Sequence, residues 1–502
     1  MTIKAVIFNC FPASPSLKNS ISAISILLLF QHVCCCNLFT KIDNKNNPKW
    51  QRWNTKLLKS SHRQFDTAHD PVLPRRGYVS VRLKFALALT VASAWAVLSY
   101  EIAQRWISDL SALVGAPLAV LLILGIAILP GFMNAFLVTG LLVDRRPRRR
   151  PVAHYPDITI LVAAYNEEDS IISTLESIAR QIYTGQIEVI VINDGSTDGT
   201  MEKLASISYP WLKVIDLPDN CGKANALNEG LKRATFSLTI TLDADSYLYA
   251  NALPNLVGRF LGDPENTGAV AGAVLVRNSR LNLVTKIQEW DYFHGIAAVK
   301  RLQSLFQGTL VAQGAFSIYR TDILHEVGGW PECVGEDIVL TWAILERGYR
   351  VGYCEDACSF TNAPVTLRQF IGQRQRWSRG LIEAFKHHWP LLFHFRMITV
   401  FIWWNLLFPL LDLIYTFSFV PGIILAMFGY YWLAGPMTLL VLPLAMLVNY
   451  IMFFIQSKMF TEQGLTVRKN PIAFVFYALF YGIILQPVCL LGYFSEIIGK
   501  RK

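Results

Sequence analysis

Two blocks of apolar sequence bracket a polar middle, and this arrangement constrains the fold more than any other feature. LKFALALTVASAWAVLSYEIA, from about Leu83, and the run from about Ala112 to Val143 are both long enough for a membrane helix, which needs roughly 20 apolar residues. The second run is longer than that, so it is expected to tilt, or to kink at Pro130-Gly131. Beyond about Arg396 the chain turns apolar again, over Met397 to Trp432, Met437 to Ile455 and Pro471 to Ile497. Hydrophobic residues make up 53% and charged residues 16% of the 502 residues, too apolar for a soluble protein. DRRPRRR, with Arg145, Arg146, Arg148, Arg149 and Arg150, closes the second run and predicts that the following segment, 151–395, is cytosolic. The net charge of +10 is concentrated beside apolar runs, which argues against nucleic acid as a partner and for the lipid bilayer.

Residues 1–80 read as an extension outside the fold. They are polar apart from ISAISILLLF, which is short for a span, and no Met occurs between Met1 and Met133. A start near Val79 or Val81 is the expectation. Nine cysteines, three of them adjacent at Cys34, Cys35 and Cys36, make no closed disulfide framework and no paired metal-ligand spacing. The basic segment KMFTEQGLTVRKN and the terminal GKRK both look cytosolic, which one simple span between them would forbid. A re-entrant or interfacial segment would reconcile them.

The polar middle alternates strands and helices. DITILVAAY, IEVIVIND, LKVIDL, SLTITLDAD and GAVAGAVLV read as strands, and SIISTLESIARQ places Ile171, Leu175 and Ile178 on one helical face. Such alternation predicts a mostly parallel sheet covered by helices, with ligands beyond the C-terminal strand ends. The acids fall there. Asp243 and Asp245, two residues apart, suit a divalent ion shared with a diphosphate. Asp194 ends a second strand before a Gly-rich turn. Tyr165, Asn166 and Glu167 follow the first, and Lys223 opens a helix, where a cation suits a phosphate. Each alone is equally a turn or a helix cap. Glu336 and Asp337 precede an apolar-periodic helix, where acidic capping is the plain alternative. Gln373, Arg376 and Trp377 lie in a basic amphipathic stretch that could equally be an interfacial helix.

In order, Asp194, Asp243-Ala244-Asp245, Gly335-Glu336-Asp337 and Gln373-Arg374-Gln375-Arg376-Trp377 resemble the D, DxD, TED/GED and QxxRW pattern of processive family 2 glycosyltransferases over about residues 155 to 390. The resemblance is nearest to bacterial poly-N-acetylglucosamine synthases, with hyaluronan, chitin and cellulose synthases as relatives. It implies an α/β GT-A domain inserted between transmembrane helices: 81–150 as two spans, 151–395 catalytic with interfacial helices at its end, and 396–502 as further spans. It implies an inverting polymerase of a β-linked polysaccharide, using a UDP-sugar, UDP-GlcNAc before UDP-glucose, with Mg²⁺ or Mn²⁺. Tyr165, Asn166, Glu167, Asp194 and Asp243 would line the nucleotide pocket and Lys223 would approach uridine or phosphate. Asp245, with Asp243, would hold the metal. Asp337, beside Glu336, would be the general base. Arg376 would hold the diphosphate, and Gln313, Gly314, Gln373 and Trp377 would meet the acceptor. The expected setting is the plasma membrane, multi-pass, with a small accessory membrane subunit as a further partner. The competing readings are a non-processive transferase acting on a lipid carrier, which would not need QxxRW, and an inactive partner of another synthase, against which the intact acids stand.

Overall fold

A computed structural model of the chain describes residues 79–499 apart from 145–151, 153, 463 and 466–469. The expectations for residues 1–78 and for the arginine cluster at 145–150 lie outside the described residues. Helix α1 spans Val81–Val114 and α2 spans Ala116–Leu142. Gly115, at φ 85°, breaks the path between them, a conformation that glycine adopts without steric cost. The irregularity in α2 is not at Pro130-Gly131 but just upstream, as a π-helical turn over Leu124–Ile128. Pro130 has no N–H to give to the carbonyl four residues back, and the widened turn absorbs the mismatch. Ala88 and Ala92 are fully buried, and a Cβ on Gly131 would lie 3.0 Å from Trp95 Nε1. Small residues thus let α1 and α2 pack closely.

The catalytic-domain candidate follows as β1 (Ile158–Ala164), α3 (Ile171–Ala179), β2 (Ile187–Asp194), α4 (Thr200–Ala205), β3 (Leu212–Leu217), α5 (Lys223–Leu231), β4 (Leu238–Leu242), β5 (Tyr247–Leu248), α6 (Ala252–Gly262), β6 (Thr267–Val276), α7 (Leu283–Trp290), α8 (Ala297–Leu305), β7 (Phe316–Arg320), α9 (Thr321–Val327), α10 (Glu336–Glu346), β8 (Arg350–Thr361) and α11 (Leu367–His388). A π-helical turn, Asp291–Ile296, joins α7 to α8. The eight strands form one sheet in the order β3-β2-β1-β4-β7-β6-β8-β5. Four of its pairings are parallel and three antiparallel, so the mostly parallel expectation holds for the first half only. The difference comes from β7, which runs antiparallel between β4 and β6, and from the short β5, antiparallel on β8. Burial on both faces explains the continuous apolar runs of β1, β2 and β4. Ile171, Leu175 and Ile178 of α3 pack on the sheet as their spacing predicts.

The chain then forms α12 (Thr399–Met427), α13 (Pro436–Glu462) and α14 (Pro471–Ile497). By length and composition, α1, α2, α12 and α14 could each cross a membrane. Phe136 of α2 meets Phe401 of α12 at 5.8 Å, and a Cβ on Gly125 would strike Ile414, so these two helices run side by side. Helix α14 touches α12, where Tyr493 Oη donates to Asp412 at 3.2 Å, and also packs along α11. Its Tyr481 packs on Phe370 of α11 at 5.9 Å, and a Cβ on Gly492 would lie 2.7 Å from the Gln375 carbonyl. Its Glu496 meets Arg379 at 3.2 Å and Lys386 at 2.6 Å.

Candidate active site

Strands β2, β1 and β4 are adjacent, and the order reverses between β1 and β4. At such a reversal the loops part and leave a crevice beyond the strand ends. Asp194 ends β2, Tyr165-Asn166-Glu167 follow β1, and Asp243 and Asp245 follow β4. Asn166 takes a left-handed φ of 56°. Its amide N–H donates to Ser196 Oγ at 3.0 Å, and its Oδ1 accepts the Thr197 N–H at 2.8 Å, so the first two loops hold each other. Asp194, 3% exposed, accepts the backbone N–H groups of Cys221 (2.8 Å) and Gly222 (3.0 Å). It thereby fixes the loop that delivers Lys223.

Lys223 opens α5 and is ion-paired with Asp243. Gly314 makes room for it: a Cβ there would lie 3.0 Å from Lys223 Nζ. The antiparallel entry of β7 explains why Gln313 and Gly314 lie beside the DxD segment. Leu242 pairs with Phe316, and the Asp243 N–H donates to the Ala315 carbonyl at 3.3 Å. Gln313 Nε2 donates to the Gly272 carbonyl at 2.5 Å. Asp245 accepts from Thr361 Oγ1, 3.1 Å from each carboxylate oxygen. Thr361 comes from the end of β8, 116 residues away.

Charge is concentrated here. Burial, then Asp243 and Glu167, push Asp245 up to about 6. Burial also raises Glu167, which accepts a hydrogen bond from Ser170. Glu336 and Asp337 form the first turn of α10. Burial and then Asp337 push Glu336 up to about 7, with Lys223 opposing. Burial likewise raises Asp337, against Lys223, the Ile338 N–H and Lys300. On Lys223 burial works against the charge, but Asp243 and Glu336 outweigh it and hold the ammonium protonated. Lys300, on α8, is lowered by burial to about 7, with Asp337 opposing. Sequence reasoning missed Lys300, which carries no motif and shares its helix face with Gln303 and Ser304, so nothing marked it.

The sequence also gave no hint of how α10 is seated. The N–H groups of Val334 and Gly335 donate to Glu383 of α11, at 3.2 and 2.8 Å. A Cβ on Gly335 would lie 2.3 Å from Gly380 Cα. The glycine of the GED segment therefore lets α10 and α11 touch backbone to backbone. Helix α11 also carries Gln373, Arg376 and Trp377. Gln373 and Arg376 line a cavity of about 1100 Å³. It adjoins a cleft of about 440 Å³ lined by Asn166, Glu167, Asp245 and Arg277, and both include Asp169 and Asn362. Tyr165 and Trp377 are exposed. Trp377 lies 6.1 Å from Tyr292, ring to ring.

Among the described residues no group of three or more His, Cys, Asp or Glu side chains could hold a metal alone. Two half-buried carboxylates, Asp243 and Asp245, the second lining the cleft, suit Mg²⁺ or Mn²⁺ completed by substrate phosphates and water, and do not suit an all-protein zinc site.

Residues 159–328 match the family model described as Glycosyl transferase family 2. The chain is 34% identical over 263 residues to the poly-beta-1,6-N-acetyl-D-glucosamine synthase of Staphylococcus aureus (strain MSSA476), covering 50% of this chain and 63% of that protein. It is 32% identical over 276 residues to the protein of the same name from Staphylococcus epidermidis, covering 52% and 66%. It thus spans just under two thirds of the length of these curated relatives. A solved structure, the mannosyltransferase PcManGT from Pyrobaculum calidifontis in complex with GDP-Man and Mn²⁺, aligns at TM-score 0.48 and 18% identity, over 84% of this chain and 100% of that one.

Proposed function

Starting from a family 2 glycosyl transferase domain with a GT-A fold, we propose that this chain is a membrane-embedded, processive, inverting glycosyltransferase. It transfers a hexose unit, N-acetylglucosamine first and glucose second, from a UDP donor to the end of a growing β-linked polysaccharide. The observation that carries this reading is one charged cluster, Asp243–Lys223 with Glu336 and Asp337, seated directly on the helix that carries Gln373, Arg376 and Trp377. The identity to two poly-beta-1,6-N-acetyl-D-glucosamine synthases supports the polymer and its sugar.

In this reading Tyr165, Asn166, Glu167 and Asp194 frame the nucleotide. Lys223 and Arg376 face its phosphates, and Asp245 with Asp243 would hold a divalent cation, which stabilises charge on the departing diphosphate. Asp337 takes the proton of the acceptor hydroxyl as that oxygen bonds to the anomeric carbon and the bond to UDP breaks. Its raised pKa makes it a stronger base than an ordinary carboxylate. Burial keeps that pKa raised, with Asp243 adding to it and Lys223 opposing. Gln313, Gly314, Gln373 and Trp377 receive the acceptor, an aromatic face suiting the C–H face of a pyranose. Residues 151–395 act as the cytosolic catalytic domain. The helices of 81–150 and 396–502 anchor it in the plasma membrane and receive the product.

The test uses purified full chain in nanodiscs with radiolabelled UDP-GlcNAc or UDP-glucose, with Mg²⁺, Mn²⁺ or EDTA, and products sized on a gel. The expected outcome is long product from UDP-GlcNAc, none with EDTA, and a loss of ~10²–10⁴-fold in Asp337→Asn with UDP binding kept. A single sugar added to lipid would establish the lipid-carrier transferase instead, and no transfer from any donor would favour an inactive partner.

A further inference from the structure

Arg374 stands between Gln373 and Arg376 in the motif yet belongs to neither cavity wall. Two residues on a helix differ by about 200° in direction. Arg376 is therefore exposed, while Arg374 is buried at 4% exposure. Its Nη2 lies 2.8 Å from Asp291 Oδ2. Its guanidinium carbon lies 4.0 Å from the centroid of Trp377, 5.1 Å from Phe370 and 5.8 Å from Tyr292. Trp377 is its i+3 neighbour on the same face and keeps 44% exposure. Asp291 comes from the π-helical turn between α7 and α8, 83 residues earlier in the chain. That turn also supplies Tyr292 to the ring cluster, and π turns recur where a side chain has to be re-aimed for function.

A buried ion pair is a poor source of stability, because desolvation offsets the attraction. What it provides here is geometry. A planar guanidinium anchored at one end by a carboxylate presents a flat cationic face, against which an indole has one favourable orientation. The pair touches no residue of the donor cleft; it touches the ring proposed to carry the acceptor. We propose that Asp291 and Arg374 are positioning residues that fix the exposed face of Trp377 for the acceptor sugar, and so set how long the product grows rather than how fast the donor is cleaved. This rests on the reading of Trp377 as the acceptor platform.

The test compares Arg374→Lys, Asp291→Asn, Asp291→Glu and Trp377→Ala in the full chain in nanodiscs. The readouts are KM for an oligosaccharide primer, KM for the UDP-sugar, donor hydrolysis without primer, and product length. Arg374→Lys and Asp291→Asn are expected to raise primer KM about tenfold and shorten the product. Donor KM and hydrolysis should stay within twofold, and Asp291→Glu should restore most of the primer affinity. Donor hydrolysis falling in step with primer affinity overturns the proposal, as does unchanged primer KM in Arg374→Lys while Trp377→Ala raises it. Loss of the folded species in Arg374→Lys, the mildest change, overturns it too, because the pair would then hold the fold rather than the ring. Unchanged primer KM in Trp377→Ala overturns the platform reading itself, a distinct result.

Discussion

Glu336 and Asp337 are adjacent acids at a buried helix start, both raised above the ordinary carboxylate range, first by burial. Groups with raised values bind protons more readily folded than unfolded. Their contribution to stability is whole below about 4.5, and it is lost as the pH rises through about 7, the value reached by Glu336. The same proton blocks the proposed base. Turnover is therefore expected to fall on acidification with a midpoint well above an ordinary aspartate, and that midpoint belongs to the pair. Glu336→Gln removes the acid that burial and Asp337 push up to about 7, so it should raise the melting temperature at pH 8 more than at pH 5. A pH–rate profile checks the midpoint and thermal melts check the variant, and an equal change in melting temperature at both pH values would mean that Glu336 is not raised. The acids of the site were legible because each follows a strand or opens a helix. Thr361, Lys300 and Asp291 were not, since the segments that bring them in are far away in the chain and carry no pattern of their own.

At the scale of elements, the five strands expected from apolar runs are all present, and β5, β7 and β8 were not foreseen. FSIYR is short and follows a loop. RVGYCEDACSFT is broken by Gly352, Glu355 and Asp356, and its pairing with β6 shifts register. No alternation marks it, yet it delivers Thr361 to Asp245. The kink expected at Pro130-Gly131 lies upstream because the fault from a proline appears at the carbonyl it leaves unpaired. The contact between α10 and α11 belongs to this scale as well. A Cβ on Gly380 would lie 2.7 Å from Gly335 Cα, so Gly380→Ala forces the two helix backbones apart. It should cost about 1–3 kcal/mol of stability and lower kcat at least tenfold. Gly262→Ala, where a Cβ meets nothing within 4 Å, should change neither. Melting and kinetic measurements decide it, and normal turnover in Gly380→Ala would uncouple α11 from the acids.

For the whole molecule, the telling feature is the companion of α14. From Tyr481 to Glu496 it lies along α11 from Phe370 to Lys386, and that helix carries Arg374, Arg376, Arg379 and Lys386. Such a charge load is costly at the bilayer centre, so α14 is expected to follow α11 near the interface, with Tyr493 also bonding it to Asp412 of α12 at 3.2 Å. This reconciles the two basic segments that flank α14. In a cysteine-depleted chain, Lys458→Cys and Ile498→Cys should both react with an impermeant maleimide from the side of the catalytic domain. Labelling of Ile498→Cys from the opposite side would mean that α14 crosses.

The grip of Glu496 on Arg379 and Lys386, together with the hold of Glu383 on Gly335, also bears on how the chain is born. Of the described helices, α14 is the last to leave the ribosome, and α11 gains its second support only then. The nucleotide crevice, completed by Thr361 on Asp245, is made 110 residues before α14 begins at Pro471, whereas the helix under the proposed base has its full support only when α14 has docked. Synthesis order is thus expected to act as a timer that keeps the proposed sugar transfer silent until the membrane part of the molecule is in place.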